Sequence, residues 1–208
     1  LRAGILANYG VGYDHIDVAA AKARGITVTN TPGVLTDATA ELAVTLLLMV
    51  ARRAGAGERE LRAGRWTGWR PTHLVGAQVT GKTLGLIGYG RIAQATARKA
   101  LHGFGMRILY NSRRRASAEV EAETGAVHCA SVEALLEGSD FVSLHCPGGP
   151  ETFHLIDARR LALMKPTAFL INTARGPVVA EAALASALEA GRIAGAGLDG
   201  SEAEPKVT

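Results

Sequence analysis

Gly88-Tyr89-Gly90-Arg91-Ile92-Ala93 stands directly after an apolar run and directly before a helical one. Gly88 permits a tight turn, Gly90 leaves the backbone bare for a diphosphate, and Ala93 is small enough for helix to pack on strand. The free N–H groups of Arg91 and Ile92 would then face the phosphates, where the helix dipole favours negative charge. The bland alternative is a strand-to-helix turn with no ligand. Strand, glycine spacing and helix agree on a dinucleotide, and the loop Gly88 to Ile92, Tyr89 included, is read as its cradle. The end of the next strand selects the dinucleotide. It reads Asn111-Ser112-Arg113-Arg114-Arg115, with Ser112 lying 24 residues beyond Gly88. No carboxylate stands there to accept from a ribose 2′-OH or to repel a 2′-phosphate. Ser112 can donate to that phosphate, and Arg113 or Arg114 can clamp it bidentately. NADP(H) is therefore preferred and NAD(H) remains possible; a solvated basic turn is the competing reading.

These residues sit in a chain of 208 residues with 23 Lys+Arg, 19 Asp+Glu, a net charge of +4 and 48% apolar types. That is ample for a packed core in one large domain, or in one domain plus part of another. Beyond 113–115 the basic residues are scattered among acids and no aromatic stripe accompanies them, so nucleic acid is not the expected partner. The longest apolar stretch, 42–51, is too short to span a bilayer, so no membrane role is expected. Cys129 and Cys146 form no disulfide framework and no zinc spacing, which points to a metal-free protein of a reducing, cytoplasmic compartment.

Strands are expected over 4–9 (a buried one), 26–29, 83–87, 106–110, 126–129, 141–144, 168–171 and 194–198. Helices are expected over 17–23, from an N-cap at Thr36 or Asp37 to Arg53, and over 91–101, 117–123, 132–136, 158–163 and 179–190. Residues 54–81 are expected to be a loop or arm carrying Trp66 and Trp69. Apolar strands alternating with helices imply a doubly wound parallel sheet, an α/β Rossmann-type domain over 34–208, preceded at 1–33 by a remnant of a second α/β domain.

With those motifs in place, the chain resembles the D-isomer-specific 2-hydroxyacid dehydrogenases, and among them the glyoxylate/hydroxypyruvate reductases. The marks run from end to end: Ala7-Asn8-Tyr9-Gly10-Val11-Gly12-Tyr13-Asp14, 25–32, Gly81-Lys82-Thr83-Leu84-Gly85, Leu144-His145-Cys146-Pro147 and Ile171-Asn172-Thr173-Ala174-Arg175-Gly176. The resemblance implies reversible hydride transfer between a nicotinamide and the carbon bearing a 2-hydroxyl. Arg175 matches the arginine that binds the 2-keto acid's carboxylate and polarises its carbonyl. Glu204, in Ala203-Glu204-Pro205, matches the glutamate that keeps a histidine protonated for general-acid work. Val11 and Gly12 match a substrate loop of bare backbone donors. His145 and Pro147 match the wall beside the adenosine, Thr173 and Asp199 match positions near the nicotinamide, and Thr152 and Ala174 are taken as cofactor contacts with them. His15, His73, His102, His128 and His154 match no catalytic position and are read as surface or structural. The family is commonly a homodimer.

Three departures qualify the resemblance. The family's catalytic histidine lies in a Pro-His motif beyond the Glu-Pro turn, and this chain reaches Thr208 without one. The chain is accordingly expected to be a piece that reduces keto acids poorly or not at all. Asp199-Gly200-Ser201 replaces apolar anchors, and Gly148-Gly149 follows Pro147 where the family commonly has Leu-Thr. The alternatives are a relative acting on another 2-hydroxy acid, lactate-like or phosphoglycerate-like, and a dinucleotide-sensing module like the superfamily's corepressors.

Overall fold

The computed structural model describes residues 3–205. It begins with β1 (Ile5–Ala7), helix α1 (Val18–Ala23) and β2 (Thr27–Thr29), the two strands pairing in parallel as a separate sheet. Asp17 starts α1 by accepting the Ala20 N–H at 2.8 Å, the side-chain cap that a first turn needs. The first strand was expected to be buried; instead all of β1 is exposed, with Ile5 at 55%. Among the described residues it pairs only with β2.

Helix α2 (Thr36–Ala51) follows, burying Ala40, Ala43, Leu47 and Ala51, a three-to-four spacing that makes one apolar stripe. Thr36 and Asp37 do not cap it. Leu35 holds the cap position without a side-chain bond, and Asp37, inside the first turn, instead takes a 2.9 Å ion pair from Lys99. The 54–81 stretch is not all loop: α3 (Ala54–Arg62) occupies its first third, entered through Arg53 in the left-handed region at φ 55°. This helix buries no residue, so no apolar period marked it in the sequence. The irregular arm is confined to the residues after it, where Trp66 and Trp69 are exposed.

The main sheet comprises β3 (Thr83–Ile87), β4 (Arg107–Asn111), β5 (Ala126–His128), β6 (Phe141–Leu144), β7 (Phe169–Asn172) and β8 (Gly195–Leu198), all parallel, in the order β5-β4-β3-β6-β7-β8. The crossovers carry α4 (Arg91–Phe104), α5 (Ala118–Thr124), α6 (Val132–Gly138), α7 (Ala158–Leu161) and α8 (Glu181–Glu189). Ser117, Ser131 and Asp157 cap three of them. This is the expected doubly wound fold. Strand order reverses between β3 and β6, which opens a crevice at their carboxyl ends.

Two cores lie on opposite faces. Leu84, Leu86, Ile108, Tyr110 and the stacked pair Phe141–Phe169 (5.1 Å) pack under α2 and α4. Ile87, Val142, Leu144 and Leu170 pack with Leu135, Leu161 and Leu184 on the other face. On that second face α6 lies close against β3. A Cβ on Gly85 would overlap Ser139 Oγ and stand 2.6 Å from Leu135 Cδ2. Gly85→Ala is therefore expected to cost about 1–3 kcal/mol through overpacking, whereas Gly103→Ala, inside α4 with nothing within 4 Å of its Cβ, should raise stability by about 0.5–1 kcal/mol through helix propensity. Urea denaturation midpoints of the two variants would check this.

Candidate active site

At the end of β3 the chain turns through Gly88 at φ 84°, where a Cβ would stand 2.7 Å from the backbone of His145 and Cys146. The first glycine is thus demanded by β6 as well as by the turn. Gly90 takes the extended conformation at the N-terminus of α4, supplies no side-chain cap, and faces open space. Ala93 is fully buried beneath it. Tyr89 differs from its neighbours. Its ring is buried, stacks on Tyr110 at 4.1 Å, and its hydroxyl donates to Thr124 Oγ1 at 2.7 Å. Only its backbone is available to a ligand. Arg91 is exposed, and Ile92 lines the cleft described below.

The three arginines after β4 have different partners. Arg115 makes a fork to Glu121, at 2.9 and 3.0 Å, and Glu121 also accepts the Tyr110 hydroxyl at 2.5 Å. Hydrogen bonds from Arg115 first and Tyr110 second hold the Glu121 carboxyl down to about 2. Because this value lies below the ordinary 4.5 of an unfolded glutamate, the stabilisation is complete above pH 4.5 and is lost as pH falls toward 2. Arg113 reaches Glu151 at 3.1 Å with both side chains about four-fifths exposed. Arg114 makes no side-chain hydrogen bond among the described residues, and the Ser112 hydroxyl donates to its carbonyl. Arg113 therefore stands on this rim in an exposed ion pair and Arg114 with no side-chain hydrogen bond among the described residues.

Across the crevice, Ser143 Oγ and His145 Nε2 lie 2.9 Å apart, and burial pushes the imidazole down to about 4. Pro147 follows, and its carbonyl accepts the Thr152 hydroxyl at 2.7 Å, so Thr152 shapes the loop. At the end of β7 the buried Asn172 fixes the next turn, accepting from the Ala174 N–H (3.0 Å) and donating to the Arg175 carbonyl (2.8 Å). Thr173 Oγ1 is buried there without a hydrogen-bond partner, alone in this respect among the side-chain polar atoms of the described residues.

The 8–15 loop closes the site from the smaller sheet. Asn8 Nδ2 donates to the Gly10 and Gly12 carbonyls (3.0 and 2.9 Å), and Asn30 Nδ2 to that of Val11 (3.0 Å). Arg175 lies against this loop, donating from Nε to Asp14 at 3.2 Å and from Nη1 to the Ala174 carbonyl at 2.9 Å. Its Nη2 occupies the place where a Cβ on Gly12 would stand. The result is a cleft of about 730 Å³ lined by Val11, Gly12, Ile92, His145, Pro147, Thr173, Ala174, Arg175 and Asp199, among others. His15, read from the sequence as a surface residue, is exposed and lines it too. Glu204 is not brought in. It is exposed, turned over Gly200, and its carboxylate accepts the Ser201 N–H at 3.2 Å. Asn8, Asn30, Asp14 and Asn172 lie in the motifs that carry the resemblance but were given no role of their own. Their signal is only a short polar residue at a strand end or in a glycine loop, which ordinary turns share.

A guanidinium set against bare backbone at the switch point of a Rossmann sheet suits a small carboxylate beside a dinucleotide. Residues 44–208 match the family described as D-isomer specific 2-hydroxyacid dehydrogenase, NAD binding domain. The chain belongs to the D-isomer-specific 2-hydroxyacid dehydrogenases. Its resemblance to the glyoxylate reductases within this family is also borne out. The chain is 55% identical over 205 residues to the glyoxylate reductase of Thermococcus litoralis, covering 97% of this chain and 61% of that one. It spans about three fifths of the length of the curated relatives it matches. Among solved structures it superposes on an NADPH-dependent glyoxylate/hydroxypyruvate reductase from Sinorhizobium meliloti, in complex with NADP and malonate, with a TM-score of 0.89. There the identity is 43%, over 98% of this chain and 62% of that one. The D-mandelate dehydrogenase of Rhodotorula graminis matches at 39% identity and a TM-score of 0.91, over 98% and 60% of the two chains.

In this family member the crevice fits a dinucleotide on its own features. Gly90 offers an open backbone approach, α4 begins uncapped by any side chain, and the Thr173 hydroxyl is buried without a partner. His145 is part of the wall and not a proton donor near neutrality. With its folded value depressed to about 4 against 6.5 unfolded, it stays neutral as pH falls, and it withdraws stability between those values. An NMR titration of the His145 ring is expected to show no protonation above pH 5. A midpoint near 6.5 would contradict the burial argument.

Proposed function

We propose that this site serves hydride transfer between NADPH and a small 2-keto acid, glyoxylate or hydroxypyruvate, the carbonyl oxygen taking its proton from a general acid that is not among the residues assigned to the site. The observation carrying this reading is the guanidinium of Arg175, held over Gly12 in a cleft that continues to the dinucleotide crevice. When bound, the nicotinamide supplies the hydride. Arg175 binds the substrate carboxylate and draws electron density from the carbonyl, so that developing negative charge meets a fixed cation. Val11 and Gly12 add backbone donors, and the cleft walls limit water. Glu204 is assigned the role of carboxylate partner to the proton donor, which requires its turn to swing away from Ser201. Among the described residues no imidazole pairs with Glu204. The 55% identity to a glyoxylate reductase supports the choice of substrate.

Preference for NADPH over NADH rests on Ser112, Arg113 and Arg114 and on the absence of a carboxylate at the β4 end. Titration of nicotinamide fluorescence should give tighter binding of NADPH than of NADH. Arg113→Ala and Arg114→Ala should each weaken NADPH by roughly tenfold, about the value of one charged hydrogen bond, while leaving NADH nearly unchanged. Arg115→Ala should instead lower the thermal midpoint, since its partner is Glu121. Equal binding of the two nucleotides by wild type would overturn the NADPH assignment.

We also assign a homodimer. A groove of about 640 Å³ runs along α2, the start of α3, residues 75–77 and the β8 edge, with Met49 and Val75 exposed in it. Sedimentation equilibrium should give twice the monomer mass, and a Met49→Glu variant should shift it toward the monomer. The free state of Cys129 and Cys146 supports a cytoplasmic setting.

A further inference from the structure

An arginine side chain is long and rich in rotamers, so a guanidinium that must meet a carboxylate in one orientation gains from being strapped down. In this protein the strap comes from the other sheet. Asp14 spreads both carboxylate oxygens toward Arg175 Nε, at 3.2 and 3.4 Å, from a position 161 residues earlier in the chain. Its loop is itself fixed, since Asn8 and Asn30 bind the Gly10, Val11 and Gly12 carbonyls. The Ala174 carbonyl takes Nη1. Nη2 has no hydrogen-bond acceptor among the described residues and lies against Gly12 in the cleft. The far side is closed by Gly148, where a Cβ would stand 2.9 Å from Arg175 Cγ and 3.2 Å from Asp14 Oδ2. The pair therefore runs in a slot between two glycines.

We propose that Asp14 is a positioning residue: by accepting from Nε it aims the Nη2 edge of Arg175 into the cleft as the anion-binding edge. This rests on the carboxylate-binding role proposed above for Arg175. The alternative, that Asp14 acts only as a nearby charge, predicts the opposite sign. A carboxylate beside an anion site repels the anion, so its removal would tighten binding. Positioning predicts that removal weakens binding and that asparagine, which keeps an acceptor oxygen but no charge, restores it.

The test uses oxamate, an inert analogue of a 2-keto acid, titrated into the full chain saturated with NADPH, for wild type, Asp14→Ala, Asp14→Asn and Arg175→Ala. Asp14→Ala is expected to weaken oxamate about tenfold, the equivalent of one well-placed charged hydrogen bond. Asp14→Asn should stay within about threefold of wild type, a fraction of that same bond, and NADPH affinity should be unchanged in both. Unchanged or tighter oxamate binding in Asp14→Ala, or equal loss in Asp14→Asn, would overturn the proposal. Arg175→Ala binding oxamate like wild type, or wild type failing to bind it, would instead overturn the Arg175 reading. A second measurement stands apart from that reading. The Arg175 Nε–H resonance should be slow to exchange with water in wild type and Asp14→Asn, and fast in Asp14→Ala. Slow exchange in Asp14→Ala sinks the proposal whether or not oxamate binds.

Discussion

The structure depends on one close approach, the seating of Gly88 on the backbone of His145 and Cys146. There the first strand of the Rossmann sheet meets the strand where the order reverses, and any Cβ would separate them. With the two strand ends in contact, the dinucleotide loop, the neutral His145 wall and the Thr173–Arg175 turn all open on one crevice. Asn172 sets that last turn from within the core, using both ends of its amide. The sheet thus delivers backbone and side chain to the same place with few degrees of freedom left over.

Charge is distributed by the same logic. The Arg115, Glu121 and Tyr110 network fixes the root of the basic rim, and Arg113 and Arg114 remain near the solvent, where a phosphate can recruit them. Burial keeps His145 neutral beside the crevice, so the cleft's fixed positive charge is Arg175, offset by Asp14. The ion pair crosses between the two sheets. The 8–15 loop and Arg175 therefore share a strap, even though they belong to different parts of the chain.

A related coupling holds the Glu204 turn. The chain at Ser201 and Glu202 lies so close to Gly176 that a side chain there would overlap it. Glu202 in turn accepts the Glu181 N–H at 3.1 Å, donates its own N–H to Glu181 at 2.9 Å and pairs with His154 at 2.6 Å. The residue beside Arg175 and the turn bearing Glu204 are thus set by one glycine, while the Glu204 carboxylate itself faces away from the cleft.

Much of this was legible in the sequence because it rests on local periodicity. Apolar runs bounded by glycine and polar caps marked all six strands of the main sheet, and the glycine spacing marked the loop between β3 and α4. Helix α3 was not legible because it buries nothing, and the exposure of β1 was not, because an apolar triplet looks the same whether or not something covers it. The sequence by itself determined the fold class and the glycine loop between β3 and α4, and the resemblance it carries pointed to Arg175. Only the tertiary structure decided which arginine of the rim is already paired, that Tyr89 turns into the core, that Glu204 faces away, and that Asp14 reaches Arg175. Those are contacts between residues distant in the chain, and no local pattern encodes which partner a flexible charged side chain will meet.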